Sequence, residues 1–409
     1  MIETKFKQTE IGLIPEEWKV FSVGKDCIVK ARIGWQGLTT SEYLETGEYA
    51  LITSTDIIDS SIDWKTCHFV SKFRYEQDVK IQVQEDDILI SKDGTIGKVG
   101  IVRNQPFPAT LNSGVFVIRA KNDKNQKGFS LAFVSDYFRE FINRLTAGST
   151  IVHLYQKDIV HFKFPLPIDI QEQQRIATAL SDTDALISAL NKKIEKKKLI
   201  KQGAMQQLLT GQKRLTGFSE PWVEKRLEEI GNLSMCKRIF QEETSESGDV
   251  PFFKIGTFGQ QADAYISSTK YEKFKQMYRF PVKGSILISA AGTIGRTVVY
   301  DGEPAYFQDS NIVWLAHDEE TILNAFLYHV YHIVEWNTEN TTIARLYNDN
   351  FNNTVINIPV SLSEQAAIAE ILSDMDKEIA KLEVKRTKYE RIKQGMMQQL
   401  LTGKIRLTD

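Results

Sequence analysis

The sequence predicts an α+β chain: two globular domains alternate with two long helices that pair as a coiled coil, in a pseudo-two-fold internal repeat. Three observations predict it. The string "IKQGAMQQLLTG" (Ile200–Gly211) returns as "IKQGMMQQLLTG" (Ile392–Gly403), 192 positions further on. Each copy of that string closes a stretch of about 40 residues whose apolar positions fall three and four apart, the spacing of a helix with one apolar stripe. The rest of each copy carries short apolar runs bounded by glycine turns, the pattern of strands.

The repeat covers the chain. Between Gln171–Thr216 and Ser363–Thr408, 26 of 46 positions match by direct count. Upstream the likeness is fainter. "STIVHLYQKD" at Ser149 pairs with "TTIARLYNDN" at Thr341, and "LNSGVFVI" at Leu111 with "QDSNIVWL" at Gln308. "DILISKDGTIGK" at Asp87 pairs with "SILISAAGTIGR" at Ser285, and "IPEEWKVFSV" at Ile14 with "SEPWVEKRLEEI" at Ser219. Two tandem copies of about 200 residues follow, each a variable domain and a near-constant tail.

In the first tail the stripe runs through Ile176, Leu180, Ile187, Leu190, Ile194, Ile200 and Leu208. In the second it runs through Ile368, Leu372, Met375, Ile379, Leu382, Tyr389, Ile392 and Met396. Thr183, Lys197 and Arg386 interrupt it, and "SDTD" and "SDMD" suggest a kink or a polar layer. Ser361 or Ser363 is placed to cap the second helix, and Gly211 and Gly403 to end the two helices. At 1.5 Å per residue, about 40 residues span roughly 60 Å, too long for an ordinary core helix. Two such helices in one chain most simply pair with each other.

Within the domains, "DDILISKDG" and "VGIVR" predict short strands. "GFSLAFVSDYFREFINRL" and "ETILNAFLYHVYHIVEWN" predict amphipathic helices at matching places. The boundaries fall at 1–168, 169–212, 213–360 and 361–409.

Hydrophobic residues make up 42% of the chain and aromatics 10%, enough to bury real cores. Charges nearly cancel, 51 basic against 53 acidic, so net charge gives no nucleic-acid or membrane bias while local basic clusters stay possible. Cys27, Cys67 and Cys236 form neither a disulfide framework nor a CxxC pair, which favours a reduced, cytoplasmic setting. The polar start "MIETKFKQTEIG" predicts no signal peptide, and no run reaches the roughly 18–20 apolar residues of a membrane span. There is no GxxxxGK[ST] and no GxGxxG; "DGTIGK" (Asp93–Lys98) has the wrong spacing for a phosphate loop. His329 and His332 lie one helical turn apart without an evident third ligand, so no metal site is expected. A duplicated enzyme would duplicate acids, bases or ligands. What repeats here is apolar periodicity with Gln, Gly, Thr and Ser, the signature of a binding protein.

On "IPEEWKV", "DGTIGK" and "AGTIGR", "STIVHLYQKDI", "PLPIDIQEQQRIATALSDTDALI" and the doubled "MQQLLTG" tail, the chain resembles the specificity subunit of Type I restriction–modification systems over essentially its full length. The resemblance implies two target recognition domains, each reading one half of a bipartite, asymmetric site in double-stranded DNA. It implies that the two helices form an antiparallel coiled coil, set the spacer and dock two methyltransferase subunits, and that two restriction/translocase subunits join the complex. It implies no chemistry and no cofactor in this chain; S-adenosylmethionine, ATP and Mg belong to the partners.

Candidate DNA-facing residues then lie in loops around the matched motifs. In the first domain they are Ser54, Thr55, Lys92, Thr95, Lys98, Asn112, Ser113, Ser149 and Lys157. In the second they are Lys254, Thr257, Ser289, Thr293, Arg296, Asn311, Thr341, Arg345 and Asn348. Lys, Arg and Asn reach base edges or phosphates, whereas Ser and Thr mostly reach phosphate. GTIG also fits a purely structural tight turn. Residues that differ between copies, such as Lys92 against Ala290 and Lys254 against Thr53, suit specificity better than Thr95 and Thr293, which match. Gln206, Gln207, Leu208, Gln398, Gln399 and Leu400 are candidates for partner docking, with packing against the domains as the alternative. "KKIEKKKLIK" (Lys192–Lys201) and "KRTKYERIK" (Lys385–Lys393) fit a solvated helix face or phosphate contacts. Competing functions are a coiled-coil scaffold without sequence-specific DNA binding, and a standalone nuclease or methyltransferase.

Overall fold

The computed structural model describes residues 4–147, 153–337 and 345–408. The chain forms two compact units, residues 1–189 with 385–409, and residues 190–384. Each unit thus holds one globular domain, part of its own long helix and part of the other.

The first unit is built on a four-stranded antiparallel sheet in the order Val99–Ile101, Ile88–Ser91, Val115–Ala120, Cys27–Ala31. A three-stranded sheet accompanies it. There Ala109–Leu111 runs parallel to Tyr49–Ile52, which pairs antiparallel with His68–Val70. Strand Ile88–Ser91 is buried on both faces, because Ile88 and Ile90 enter one core and Leu89 the other. That is why "ILIS" is continuously apolar rather than alternating.

The second unit repeats the topology. Its four-stranded sheet orders Asn232–Met235, Ile312–Ala316, Ile286–Ser289, Thr297–Val299. Its three-stranded sheet places Val250–Phe253 between Tyr265–Ile266 and the parallel Tyr306–Phe307. In each unit a strand near the start of the domain pairs with the strand that closes it: Trp18–Ser22 with Lys163–Pro167, and Trp222–Arg226 with Val355–Pro359. The helical stretches are more broken than the periodicity predicts. "GFSLAFVSDYFREFINRL" divides into Gln126–Phe133 and Asp136–Thr146, because buried Ser135 turns its hydroxyl back to the Ala132 carbonyl (2.6 Å). Its counterpart is the single helix Asn324–Val330.

The long helices run Ile170–Leu208 and Leu362–Leu400, 39 residues each. The Asp169 carboxylate accepts from the Gln171 and Glu172 N–H groups at the start of the first. Past their ends Gly211 and Gly403 take left-handed φ of 73° and 68°. A Cβ at Gly403 would come within 2.2 Å of Pro15, so a side chain there meets both strain and a clash.

The helices pair antiparallel within each unit. In the first, Asp184 meets Lys393 (2.5 Å), and the Thr183 hydroxyl donates to Met396 Sδ (3.7 Å). In the second, Lys201 meets Asp376 (2.6 Å), Lys197 meets Glu378 (2.8 Å) and Lys198 meets Glu383 (3.0 Å). The second aspartate of "SDTD" and of "SDMD" is therefore one half of a polar layer. Lys201 lies seven residues past buried Ile194 and four before buried Met205, on the seam. Ile200 and Ile392 sit one residue off it and are exposed, a correction to their place in the predicted stripe. The basic run is likewise partly explained: three of its lysines meet acids of the opposite helix.

Candidate nucleic-acid interface

In the first unit, three turns following strands Ile88–Ser91, Tyr49–Ile52 and Ala109–Leu111 come together. Ser91 locks the GTIG turn: its hydroxyl donates to the Thr95 carbonyl (2.6 Å) and accepts from the Lys98 N–H (2.8 Å). Gly94 and Gly97 take φ of 64° and 80° there. Lys98 Nζ reaches the Ser54 carbonyl (3.5 Å), and the Asn112 N–H donates to the Ile52 carbonyl (2.9 Å). The Lys92 N–H donates to the Gly114 carbonyl (2.9 Å), and the Lys92 carbonyl accepts from Leu154 N–H (2.7 Å). Ser54, Lys92, Thr95, Lys98, Asn112 and Ser113 thus share one edge. Thr55 is exposed beside Thr53, hydroxyl to hydroxyl at 2.7 Å. The Lys92 ammonium lies 5.2 Å over the Phe116 ring, and burial pulls its pKa below the ordinary lysine value. Lys157 is exposed on the short helix Gln156–Ile159, over Tyr155.

The second unit repeats the frame with other side chains. Ser289 donates to the Thr293 carbonyl (2.5 Å) and accepts from the Arg296 N–H (2.9 Å). Arg296 Nη1 donates to the Phe258 carbonyl (3.0 Å), as Lys98 reaches Ser54. The Ala290 N–H donates to Asn311 O, and Ala290 O accepts from the Leu346 N–H, both at 2.8 Å. Arg345 Nη2 approaches the Ser310 carbonyl (3.5 Å), and its guanidinium stands over Tyr347 (5.9 Å). Lys254 pairs with Asp263 (2.9 Å), and its N–H donates to the Thr257 hydroxyl (3.2 Å). Thr293 and Asn348 are exposed.

Ser289 is a correction. It is buried and its hydroxyl is committed to the turn, so it holds the loop rather than facing a ligand. Ser149 and Thr341 lie outside the described residues. The hydrogen bonds also shift one pairing. The Gln308 N–H donates to Phe253 O as Asn112 donates to Ile52 O, so Gln308 matches Asn112 and not Leu111. The turn is then one residue longer in the second unit, 308–311 against 112–114, and Ser310 takes a left-handed φ of 53°.

At the helix ends, Leu208 and Leu400 are buried in the cores of their units, so they pack inside the chain. Gln206, Gln207 and Gln398 are exposed and Gln399 is half-buried. The repeated "EQ" has a local cause. Arg406 forms a fork with fully buried Glu172 (2.5 and 2.7 Å), reaches Glu17 (2.6 Å) and lies over the Trp18 ring. Arg214 forms the same fork with fully buried Glu364 (2.6 and 2.7 Å), over Trp222. Gln173 and Gln365 donate to the Pro167 and Pro359 carbonyls. Sequence reasoning missed these two clasps, although "RLT" recurs at the same offset of 192.

His329 is buried with Nε2 3.1 Å from the Ser373 hydroxyl, whereas His332 is exposed with Nδ1 2.7 Å from the Tyr328 carbonyl. Among the described residues no three His, Cys, Asp or Glu side chains are placed to hold a metal ion. Burial pushes the thiols of Cys27, Cys67 and Cys236 up to about 12, the state of inert core cysteines. Among the described residues no helix is long and apolar enough to cross a membrane.

Comparison with known proteins agrees with this doubled plan. The family profile described as "Type I restriction modification DNA specificity domain" matches twice, over residues 15–199 and 219–394. A Haemophilus influenzae protein assigned as a type I restriction enzyme specificity subunit is 54% identical over 151 residues, 37% of this chain and 39% of that protein. The type I restriction enzyme MjaVIII specificity subunit of Methanocaldococcus jannaschii is 27% identical over 99% of this chain and 97% of its own. The crystal structure of the type I restriction-modification S subunit from M. genitalium shares the fold, with a TM-score of 0.63 over 98% of this chain and 99% of that one, at 16% identity.

Proposed function

We propose, starting from the fact that this chain belongs to the family of Type I restriction modification DNA specificity domains, that it is the DNA sequence-recognition and assembly subunit of a Type I restriction–modification complex. The observation that carries this reading is one frame built twice with unlike edges. The GTIG turn, the strand order and the helix clasps recur, while Lys92 gives way to Ala290, Asp93 to Ala291 and Thr53 to Lys254.

Each domain, 1–168 and 213–360, reads one half of an asymmetric duplex site. Backbone-facing groups such as Thr95, Thr293 and Lys157 position the phosphates, and the non-matching side chains contact base edges. The helical segments 169–212 and 361–409 set the number of base pairs between half-sites. They also offer the same exposed glutamines twice, as two copies of one methyltransferase partner require. Two restriction/translocase subunits complete the assembly. The chain carries no catalytic group of its own; S-adenosylmethionine, ATP and Mg act on the partners, in the cytoplasm.

The test is a genome-wide map of methylated adenine in cells carrying the methyltransferase with and without this chain. A two-part motif that appears only with the chain supports the reading. A motif that is the same without it overturns it, and a duplex footprint with no sequence preference would favour the scaffold alternative.

A further inference from the structure

The longer turn of the second unit points to a particular reader of DNA. Its extra residue brings in Asp309, whose Oδ2 accepts from Arg238 Nε at 2.8 Å. The Arg238 side chain is 58% exposed and that of Asp309 17%. Among the described residues Nη1 and Nη2 of Arg238 have no protein partner. An exposed ion pair contributes little to stability. What this one does is fix the direction of a planar fork whose two outer nitrogens stay available.

The backbone beneath is held as well. Lys237 and Arg238 lie between buried Cys236 and Ile239, and the Tyr306 hydroxyl donates to the Lys237 carbonyl (2.9 Å). Asp309 adjoins Ser310, whose carbonyl is approached by Arg345, and Asn311, whose carbonyl is bonded to the second GTIG loop. Arg238 therefore stands on the edge already assigned to DNA. Among the described residues of the first domain no arginine is held this way on the edge: that of its "ARI" string, Arg32, is buried and donates to the Leu111 carbonyl (2.8 Å) and the Thr110 hydroxyl (3.1 Å).

We propose that Arg238, aimed by Asp309, is a specificity-determining residue that reads a guanine in the half-site of the second domain. Two parallel N–H donors match the O6 and N7 acceptors that guanine presents in the major groove, and no other base offers that pair. The inference rests on the recognition function proposed above and adds a residue and a base to it.

The test uses the full chain assembled with its methyltransferase, the methylation motif and binding to duplexes varied at each position. Arg238→Ala is expected to lower discrimination at one guanine of the second half-site by roughly 5- to 150-fold, the range for one bidentate contact. The first half-site stays unchanged. Arg238→Lys keeps the charge and loses the fork, so it relaxes the same position. Asp309→Asn relaxes it partly, and all three variants unfold in urea at the wild-type midpoint. A motif unchanged by Arg238→Ala, or affinity lost equally for every base, overturns the inference while leaving the recognition function intact. A wild-type complex with no two-part motif overturns that function and this inference together.

Discussion

The helix clasps and the loop edges are both present twice, and they have diverged to opposite degrees. Arg406–Glu172 and Arg214–Glu364 repeat the same residues, the same fork and the same tryptophan beneath the guanidinium. The edges repeat a serine-locked turn and then differ in charge, in length and in which arginine faces outward. Chemistry is held constant where the chain closes on itself, where losing either partner would leave a buried charge uncompensated. It varies where side chains face out of a rigid frame.

The largest effect is expected at the clasps. Arg406→Ala leaves Glu172 buried and unpaired, which should cost about 3–5 kcal/mol and appear as a fall in the urea midpoint. Arg214→Ala should act in the same direction but less, since the Arg214 side chain is 30% exposed against 13% for Arg406. Equal costs, or none, would show that the carboxylates are not held as described.

Acid should separate the two units next. Burial, and then the charge of Lys201, hold the His329 imidazole down to about 4 from its ordinary 6.5. Between those values the unfolded chain binds more protons than the folded one. The stability contributed is therefore full above about 6.5 and is lost as pH falls toward 4. The matching helix of the first unit, Gln126–Phe133, has no histidine. His329→Gln should flatten the pH dependence of unfolding, and an unchanged profile would contradict the assignment.

Ser91→Ala and Ser289→Ala should each cost about 1–3 kcal/mol, since each strands a turn N–H and carbonyl that the hydroxyl now serves. A much larger loss in one copy would mean that the turns are not equivalent. The smallest effect is expected on the seam. Lys201→Met and Lys393→Met should shift stability by about 1 kcal/mol or less in either direction, because partly exposed pairs contribute little and an apolar replacement offsets their loss. Their use lies in register, which cysteine cross-linking across the paired helices reads directly.

Much of the architecture was legible because it is periodic and repeated. Spacings of three and four marked both long helices, and "DILIS" and "SILIS" marked the buried strands. The polar layer was visible as "SD.D", but not its partners, Lys201 and Lys393, which look like members of a basic run until the helices are paired. Ile200 and Ile392 misled because a matching residue is not necessarily a seam residue. The candidate edge was legible as loops around matched motifs. Arg238 was not, because its importance comes from a one-residue insertion about 70 positions away. Ser289 looked like a contact because sequence cannot show that a hydroxyl is already occupied.

If two separable readers sit on one duplicated frame, one can be exchanged without disturbing the other. The direct measurement exchanges residues 1–165 for the first domain of another family member and maps methylated adenines in the resulting strain. The expected motif has a new first half, while its second half and the base pairs between them are retained. A motif altered in both halves, or in neither, would contradict separable readers.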